Sequence, residues 1–167
     1  MKILILCCGN LGATKKAGEI LAMSINGSGH QIDCISKINK EIDYSFYDAV
    51  VFGTNVRMGK FNKEFKNQLY LWKNSNSKAR AYCFIVGARA EKTIFYEKKA
   101  GKLINNGYCT FVGGELNAEN AGKFDSAVIN SIIKTLNKKG SPLPRINQDK
   151  LRVLADVIIE EYKRNNN

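Results

Sequence analysis

Lys2-Ile3-Leu4-Ile5-Leu6-Cys7-Cys8-Gly9-Asn10-Leu11-Gly12-Ala13-Thr14-Lys15-Lys16 passes from an unbroken apolar run, through a loop with two glycines, into the start of a helical pattern. A buried strand, a small-residue turn and a helix N-terminus together make a cradle for an anion. Backbone N–H groups at such a junction point outward unpaired, and the helix dipole favours negative charge. A phosphate-bearing ligand held within the first fifteen residues is the expectation that follows.

The same unit recurs along the chain. Apolar runs over residues 2–7, 49–54, 81–87 and 108–114, with an alternating run over 30–36, read as strands. Helical periodicity covers 14–25, 61–72, 91–104, 124–137 and 147–164. Near-continuous apolar strands alternating with helices imply a parallel sheet covered on both faces. Right-handed crossovers make this a three-layer, doubly wound α/β domain, a single domain over residues 1–167. The alternating run at 30–36 suits a strand nearer the sheet edge. Gly140-Ser141-Pro142-Leu143-Pro144 reads as an ordered connection between the last two helices.

In such sheets ligands sit beyond the carboxyl ends of the strands, where the strand order reverses. Three glycine-containing loops are expected to meet there. The first covers residues 8–14. The second is Gly53-Thr54-Asn55-Val56-Arg57-Met58-Gly59-Lys60-Phe61, and the third is Val86-Gly87-Ala88-Arg89-Ala90. Glycine lets backbone approach a flat ligand closely.

These loops, with Asp48-Ala49-Val50-Val51-Phe52 leading into the second, and with Phe111-Val112-Gly113-Gly114 and Phe124-Asp125 further on, make the chain resemble the flavodoxin-like FMN proteins. Within them it looks most like the menaquinone-dependent protoporphyrinogen oxidase group, over nearly its whole length. The resemblance implies a flavodoxin-like fold with a five-stranded parallel sheet of order 2-1-3-4-5 and FMN at its carboxyl edge. It places the FMN phosphate on Cys8, Gly9, Asn10, Leu11, Gly12, Ala13 and Thr14. It places the flavin ring between Thr54, Asn55, Val56, Arg57, Met58 and Gly59 on one side and Gly87, Ala88 and Arg89 on the other. The implied activity passes electrons through flavin N5, from a reduced tetrapyrrole or other redox substrate to a quinone or redox protein. No side-chain acid or base is implied. A flavodoxin-like electron carrier without its own substrate, and a flavin-free anion-binding member of the fold, stand as alternatives.

The phosphate loop departs from the family pattern. Members usually carry Ser or Thr just after the first strand, whereas Cys8 and Gly9 stand here and only Thr14 keeps a hydroxyl. Each lost hydrogen bond to a charged phosphate costs roughly 1.5–3 kcal/mol, which Lys15, Lys16 and backbone N–H groups are expected to offset in part. Residues 7–14 also resemble the phosphate loop of low-molecular-weight tyrosine phosphatases. Ala13 stands where that family needs its arginine, and no Asp-Pro pair exists to supply its general acid. Without bidentate stabilisation of the transferring group that reading fails.

The formal charge of +11 favours acidic partners such as an anionic membrane surface, a carboxylated substrate or an acidic protein. The alternative is a lysine-rich solvated surface. Basic blocks interleaved with aromatics are absent, which leaves nucleic acid a minor alternative. Five cysteines, an odd number without metal spacing, fit buried thiols in a reducing compartment. No apolar run reaches the ~20 residues that span a bilayer, so a cytoplasmic protein, peripheral at most to a membrane, is expected.

Other residues carry weaker signals. Arg57 and Arg89 are expected at the rim of the ligand edge. Met58 and Phe61 are candidates to pack on the flavin, with Phe61 equally suited to anchor the core. His30, the sole histidine, is expected away from the ligand edge, and Trp72 is expected to cap the core. Residues 116–122 read as a surface loop or a lid. Phe124, Val128, Ile129, Ile132, Ile133 and Leu136 form an apolar stripe that reads as a core face, with a membrane-contacting helix as the alternative.

Overall fold

The structure, a computed structural model, describes residues 1–9, 12–26, 29–88, 90–116 and 123–166. The elements follow in the order β1 (Lys2–Cys8), α1 (Ala13–Asn26), β2 (Gln31–Ile35), β3 (Ala49–Arg57), β4 (Lys60–Phe61), α2 (Lys63–Asn74), β5 (Arg80–Val86), α3 (Thr93–Leu103), β6 (Cys109–Phe111), α4 (Lys123–Lys138) and α5 (Gln148–Asn166). The parallel strands lie in the order β2-β1-β3-β5-β6, and β4 pairs with β3 alone. Apart from that added hairpin, this is the expected five-stranded parallel order. The alternating run falls on the edge strand β2.

Period-two geometry divides each central strand between two cores. From β1, Ile3, Ile5 and Cys7 join Leu21 and Ile25 of α1 and Leu151 and Leu154 of α5. Leu4, Leu6 and Cys8 point the other way, to Phe65, Leu69 and Trp72 of α2 and Tyr96 of α3. Side chains of this size each contribute about 1.5–3 kcal/mol on full burial.

The structure moves several boundaries. β3 runs past residue 54 to Arg57, because Met58 and Gly59 form a tight reversal that returns the chain as β4. Both residues have positive φ, 48° and 78°, the backbone that matches the twist of a two-residue hairpin. Phe61 therefore belongs to a strand, and α2 starts two residues later. Asn62 caps it, its side-chain oxygen accepting the Glu64 N–H at 2.8 Å.

β6 is shorter than the apolar run at 108–114. Gly113, at φ 75°, turns the chain out of the sheet and forms an antiparallel bridge with Ile146. The Asn147 N–H donates to the Val112 carbonyl at 2.8 Å, so the connection before α5 is tied to the sheet. On the outer edge of β6, the Phe111 N–H donates to the Glu97 carboxylate at 2.7 Å. The Lys150 ammonium donates to the Phe111 carbonyl at 2.9 Å. Both outward backbone groups of Phe111 on this edge strand are thus occupied.

Gly53, inside β3, leaves room for the Phe84 ring. A Cβ at this position would fall 2.2 Å from Phe84 Cζ, and Phe84 is fully buried. Gly53→Ala is expected to destabilise the protein by about 1–3 kcal/mol through overpacking. In chemical denaturation this appears as a lower midpoint with an unchanged slope.

Candidate functional site

β1 ends at Cys8, and α1 starts at Ala13 behind Gly12, whose φ of 82° suits glycine. Gly9 also needs to be glycine. A Cβ there would fall 2.2 Å from Thr14 Oγ1, because the Thr14 side chain folds back across it. The first turn of α1 carries no acidic residue to compete for an anion. The lysines expected to support an anion are otherwise engaged. Lys15 lies 3.6 Å from Glu19, and the Lys16 ammonium donates to both Glu115 oxygens at 2.9 Å. Lys16 thereby links α1 to the segment after β6.

The third loop approaches that segment backbone to backbone. The Gly87 N–H donates to the Gly113 carbonyl at 2.8 Å, and a Cβ on Gly114 would fall 2.9 Å from the carbonyl carbon and oxygen of Gly87. Only glycine permits this contact.

Between these loops lies a cavity of about 680 Å³, within the range of small-molecule and cofactor sites. Ala13 and Thr14 line it from α1. Asn55, Val56, Arg57, Met58 and Gly59 line it from the hairpin, and Gly87 and Ala88 from the third loop. All nine were singled out in the sequence. Cys8, Gly9, Gly12 and Thr54 lie beside the cavity rather than in its wall. The Cys8 side chain is buried in the α2–α3 core, where burial and then Glu64 push its pKa up to about 12, so only its backbone can meet a ligand. Thr54 is fully buried, and its hydroxyl donates to the Asn55 carbonyl at 3.3 Å. Asn10, Leu11, Arg89 and residues 117–122 lie outside the described residues.

Sequence reasoning missed much of the wall. Tyr96 and Phe111, stacked at an interplanar angle of 16°, line the cavity together with Lys92, Gly114, Glu115 and Leu116. Val128, Ile129 and Ile132 of α4 complete it. This corrects in part the reading of the α4 stripe as a core face: Ile129 is buried, but Val128, Ile129 and Ile132 line the cavity and belong to neither core cluster. Val128 and Ile132 remain 42% and 38% exposed. The helical periodicity was visible, but what the stripe faced was not.

Met58 and Phe61 part company. Met58 is 91% exposed at the hairpin tip. Phe61 is buried against Phe65 and Tyr96 and anchors the core. Trp72 is likewise buried in the core. Cys7 is equally unsuited to act as a phosphatase nucleophile. Its thiol points into the α1–α5 core, and contact with Cys34, then burial, raise its pKa far above the usual thiol range.

A flavodoxin-domain family model matches residues 4–142. The chain belongs to the flavodoxin-domain family. Its fold is similar to that of oxidised flavodoxin 1 from Bacillus cereus, with a TM-score of 0.51 at 13% identity, covering 83% of this chain and 98% of that one. A flavodoxin from the domain Archaea gives a TM-score of 0.53 at 12% identity, with the same coverage. A flavoprotein in complex with FMN from Lactobacillus acidophilus gives 0.50 at 19% identity, covering 66% of this chain and 90% of that one. At these identities the likeness establishes the fold alone. No curated protein matches the chain.

The glycine contact and the ion pair that close this flavodoxin-domain site should differ sharply in cost. Gly114→Ala meets rigid backbone and is expected to lose about 1–3 kcal/mol. Lys16→Ala removes a half-exposed pair and is expected to lose at most about 1 kcal/mol. Denaturant midpoints of the two variants check this.

His30 stands just before β2, edge-on to Tyr162 of α5, with its Nε2 buried and without a partner. Burial, then the N-terminal ammonium and Lys163, hold its pKa below 6.5. Its stabilising contribution is thus fully present above pH 6.5 and is lost as pH falls through the lowered folded value. His30→Gln is expected to flatten that acid limb of the stability–pH curve.

Proposed function

We propose that the chain binds FMN at the carboxyl edge of its sheet and acts as an oxidoreductase on a flat, largely apolar, carboxylated substrate. A reduced tetrapyrrole of the protoporphyrinogen kind has that chemistry, and a quinone or a redox protein would take the electrons. The observation that carries this reading is the α4 wall: Val128, Ile129 and Ile132 give the cavity a fourth, apolar side. A pure carrier needs only an accessible ring edge, whereas an apolar wall facing the loops provides for a second flat molecule.

Family membership and the FMN-bound neighbour support the cofactor. So does the first loop, where Gly12 leads into α1, since the first-turn N–H groups and the dipole of a helix favour a phosphate. Bound FMN would supply the hydride and electron transfer. The chain's own residues bind and orient. Val56 and Gly87 approach each other across one end of the cavity, a Cβ on Gly87 falling 3.7 Å from Val56 Cβ, and the Tyr96–Phe111 stack lines the space beside them. Arg57 and Lys92 bring positive charge to substrate carboxylates.

The outer rim supports a membrane-side acceptor. Met58, Ile94 and Phe95 are 91%, 68% and 57% exposed. The Lys99 ammonium lies over the rings of Phe61 and Phe95 at 5.8 and 5.7 Å. Exposed apolar side chains flanked by cations suit an anionic membrane surface, where quinones reside. No described helix is long and apolar enough to cross a membrane.

FMN titration by flavin fluorescence and visible spectrum tests the first half; protein that stays colourless with excess FMN overturns it. Turnover of a porphyrinogen with a quinone acceptor tests the second. Val128→Asp combined with Ile132→Asp is expected to leave the flavin bound by the loops. The pair should lower kcat/KM for the porphyrinogen by about tenfold or more, since removing one apolar contact of about 1.4 kcal/mol already gives that factor. Flavin bound without porphyrinogen turnover would leave the electron carrier as the function.

A further inference from the structure

The Sγ atoms of Cys7 and Cys34 lie 3.9 Å apart. Cys7 is buried near the carboxyl end of β1, and Cys34 is exposed on the edge strand β2. In the β1–β2 ladder Cys34 lies beside Ile5, so Cys7, two residues further on, stands diagonally across on the same face of the sheet. Helix α1 closes over the pair at a residue without a side chain. A Cβ on Gly18 would fall 2.2 Å from Cys7 Sγ and 3.5 Å from Cys34 Sγ. The absence of that Cβ leaves the two sulfurs facing each other. Cys34 is an exposed residue and Cys7 a buried one, which is the arrangement of an attacking and a resolving cysteine.

We propose that Cys7 and Cys34 are a redox-active thiol pair that closes to an intramolecular disulfide under hydrogen peroxide, with Cys34 as the attacking thiol and Cys7 as the resolving one. The Cys34 thiolate attacks one peroxide oxygen, the O–O bond breaks, and the departing hydroxide takes up a proton as water. Cys34 is left as a sulfenic acid. The Cys7 sulfur then attacks the Cys34 sulfur, and the S–O bond breaks. The hydroxyl leaves with the Cys7 proton as a second water. Two thiols and one peroxide give one disulfide and two waters, and two electrons pass from sulfur to oxygen. The sulfurs must close from 3.9 Å to about 2.05 Å. Contact with Cys7, and the nearby Lys15 charge, lower the Cys34 pKa, while burial and Glu19 oppose this.

The other close pair marks the contrast. Cys83 and Cys109 are register partners in β5 and β6, but Cys83 is fully buried and Cys109 half-buried. Peroxide has no exposed thiol to meet there. The inference concerns the thiols alone and holds whether or not a flavin binds.

The test treats the full chain with hydrogen peroxide, alkylates the remaining thiols after denaturation, and maps the peptides by mass. Two of the five cysteines are expected to escape alkylation, joined in a crosslink between peptides 3–15 and 17–37 that dithiothreitol reverses. Peptide 3–15 holds both Cys7 and Cys8, so Cys8→Ser, expected to keep the crosslink, separates them. Cys7→Ser is expected to leave a Cys34 sulfenic acid that dimedone traps. Cys34→Ser is expected to give neither crosslink nor dimedone adduct. Five alkylated thiols after peroxide in the wild-type chain would overturn the proposal. So would a crosslink that survives Cys7→Ser, or one that joins two chains. The wild-type peptide map decides the matter even where a variant folds poorly.

Discussion

The register between β1 and β3 positions every loop at the carboxyl edge, and hydrophobicity alone does not set it. In most half-exposed strands a slip of one residue would turn the apolar set toward water. β1 is apolar on both faces, so exchanging Ile3, Ile5 and Cys7 for Leu4, Leu6 and Cys8 would bury similar surface. Specific contacts hold the pairing that runs from Ile3 beside Ala49 to Cys8 beside Thr54. At the amino end the Lys2 N–H donates to the Asp48 carboxylate at 2.6 Å, and the Asp48 N–H donates to the Lys2 carbonyl at 2.9 Å. With Cys8 thus beside Thr54, the first and second loops emerge at one level.

Four further contacts turn that edge into a site. The Met58-Gly59 reversal folds the second loop into a hairpin, which carries Arg57 and Met58 out to the rim. Gly87 and Gly114 bring the third loop and the segment after β6 into backbone contact. Lys16 and Glu115 tie that segment to the first turns of α1. The fourth element is α4, whose Val128, Ile129 and Ile132 line the cavity. The same hydrophobic effect that buries α1, α2, α3 and α5 against the sheet thus leaves one helix partly unsatisfied.

Charge is distributed to match. The +11 of the chain is spread over surface lysines, several of which are occupied near the site by Glu19, Glu115 and the Phe111 carbonyl. Arg57 and Lys92 line the cavity and bring positive charge to it. An acidic or anionic partner therefore meets cations at the mouth before apolar surface within. Long-range attraction and short-range fit are supplied by different residues.

The sequence by itself determined the layers and the edge position of β2, and it singled out nine of the residues that line the cavity, because each rests on local signals; the strand order came with the family resemblance. Unbroken apolar runs mean burial on two faces, alternation at 30–36 means an edge, and glycines after strands mark loops that approach a ligand. Local signals stop where a residue's role depends on what another element places opposite it. Phe61 looked equally suited to a flavin or a core until Phe65 and Tyr96 were found against it. The α4 stripe has the periodicity of a core face, and only the tertiary structure turned it toward a cavity. Lys16 is spoken for by a glutamate 99 residues away, and Cys7 meets Cys34 across 27. Pairings of that separation are made by the sheet register and the crossovers, and neither is written in any window of the chain.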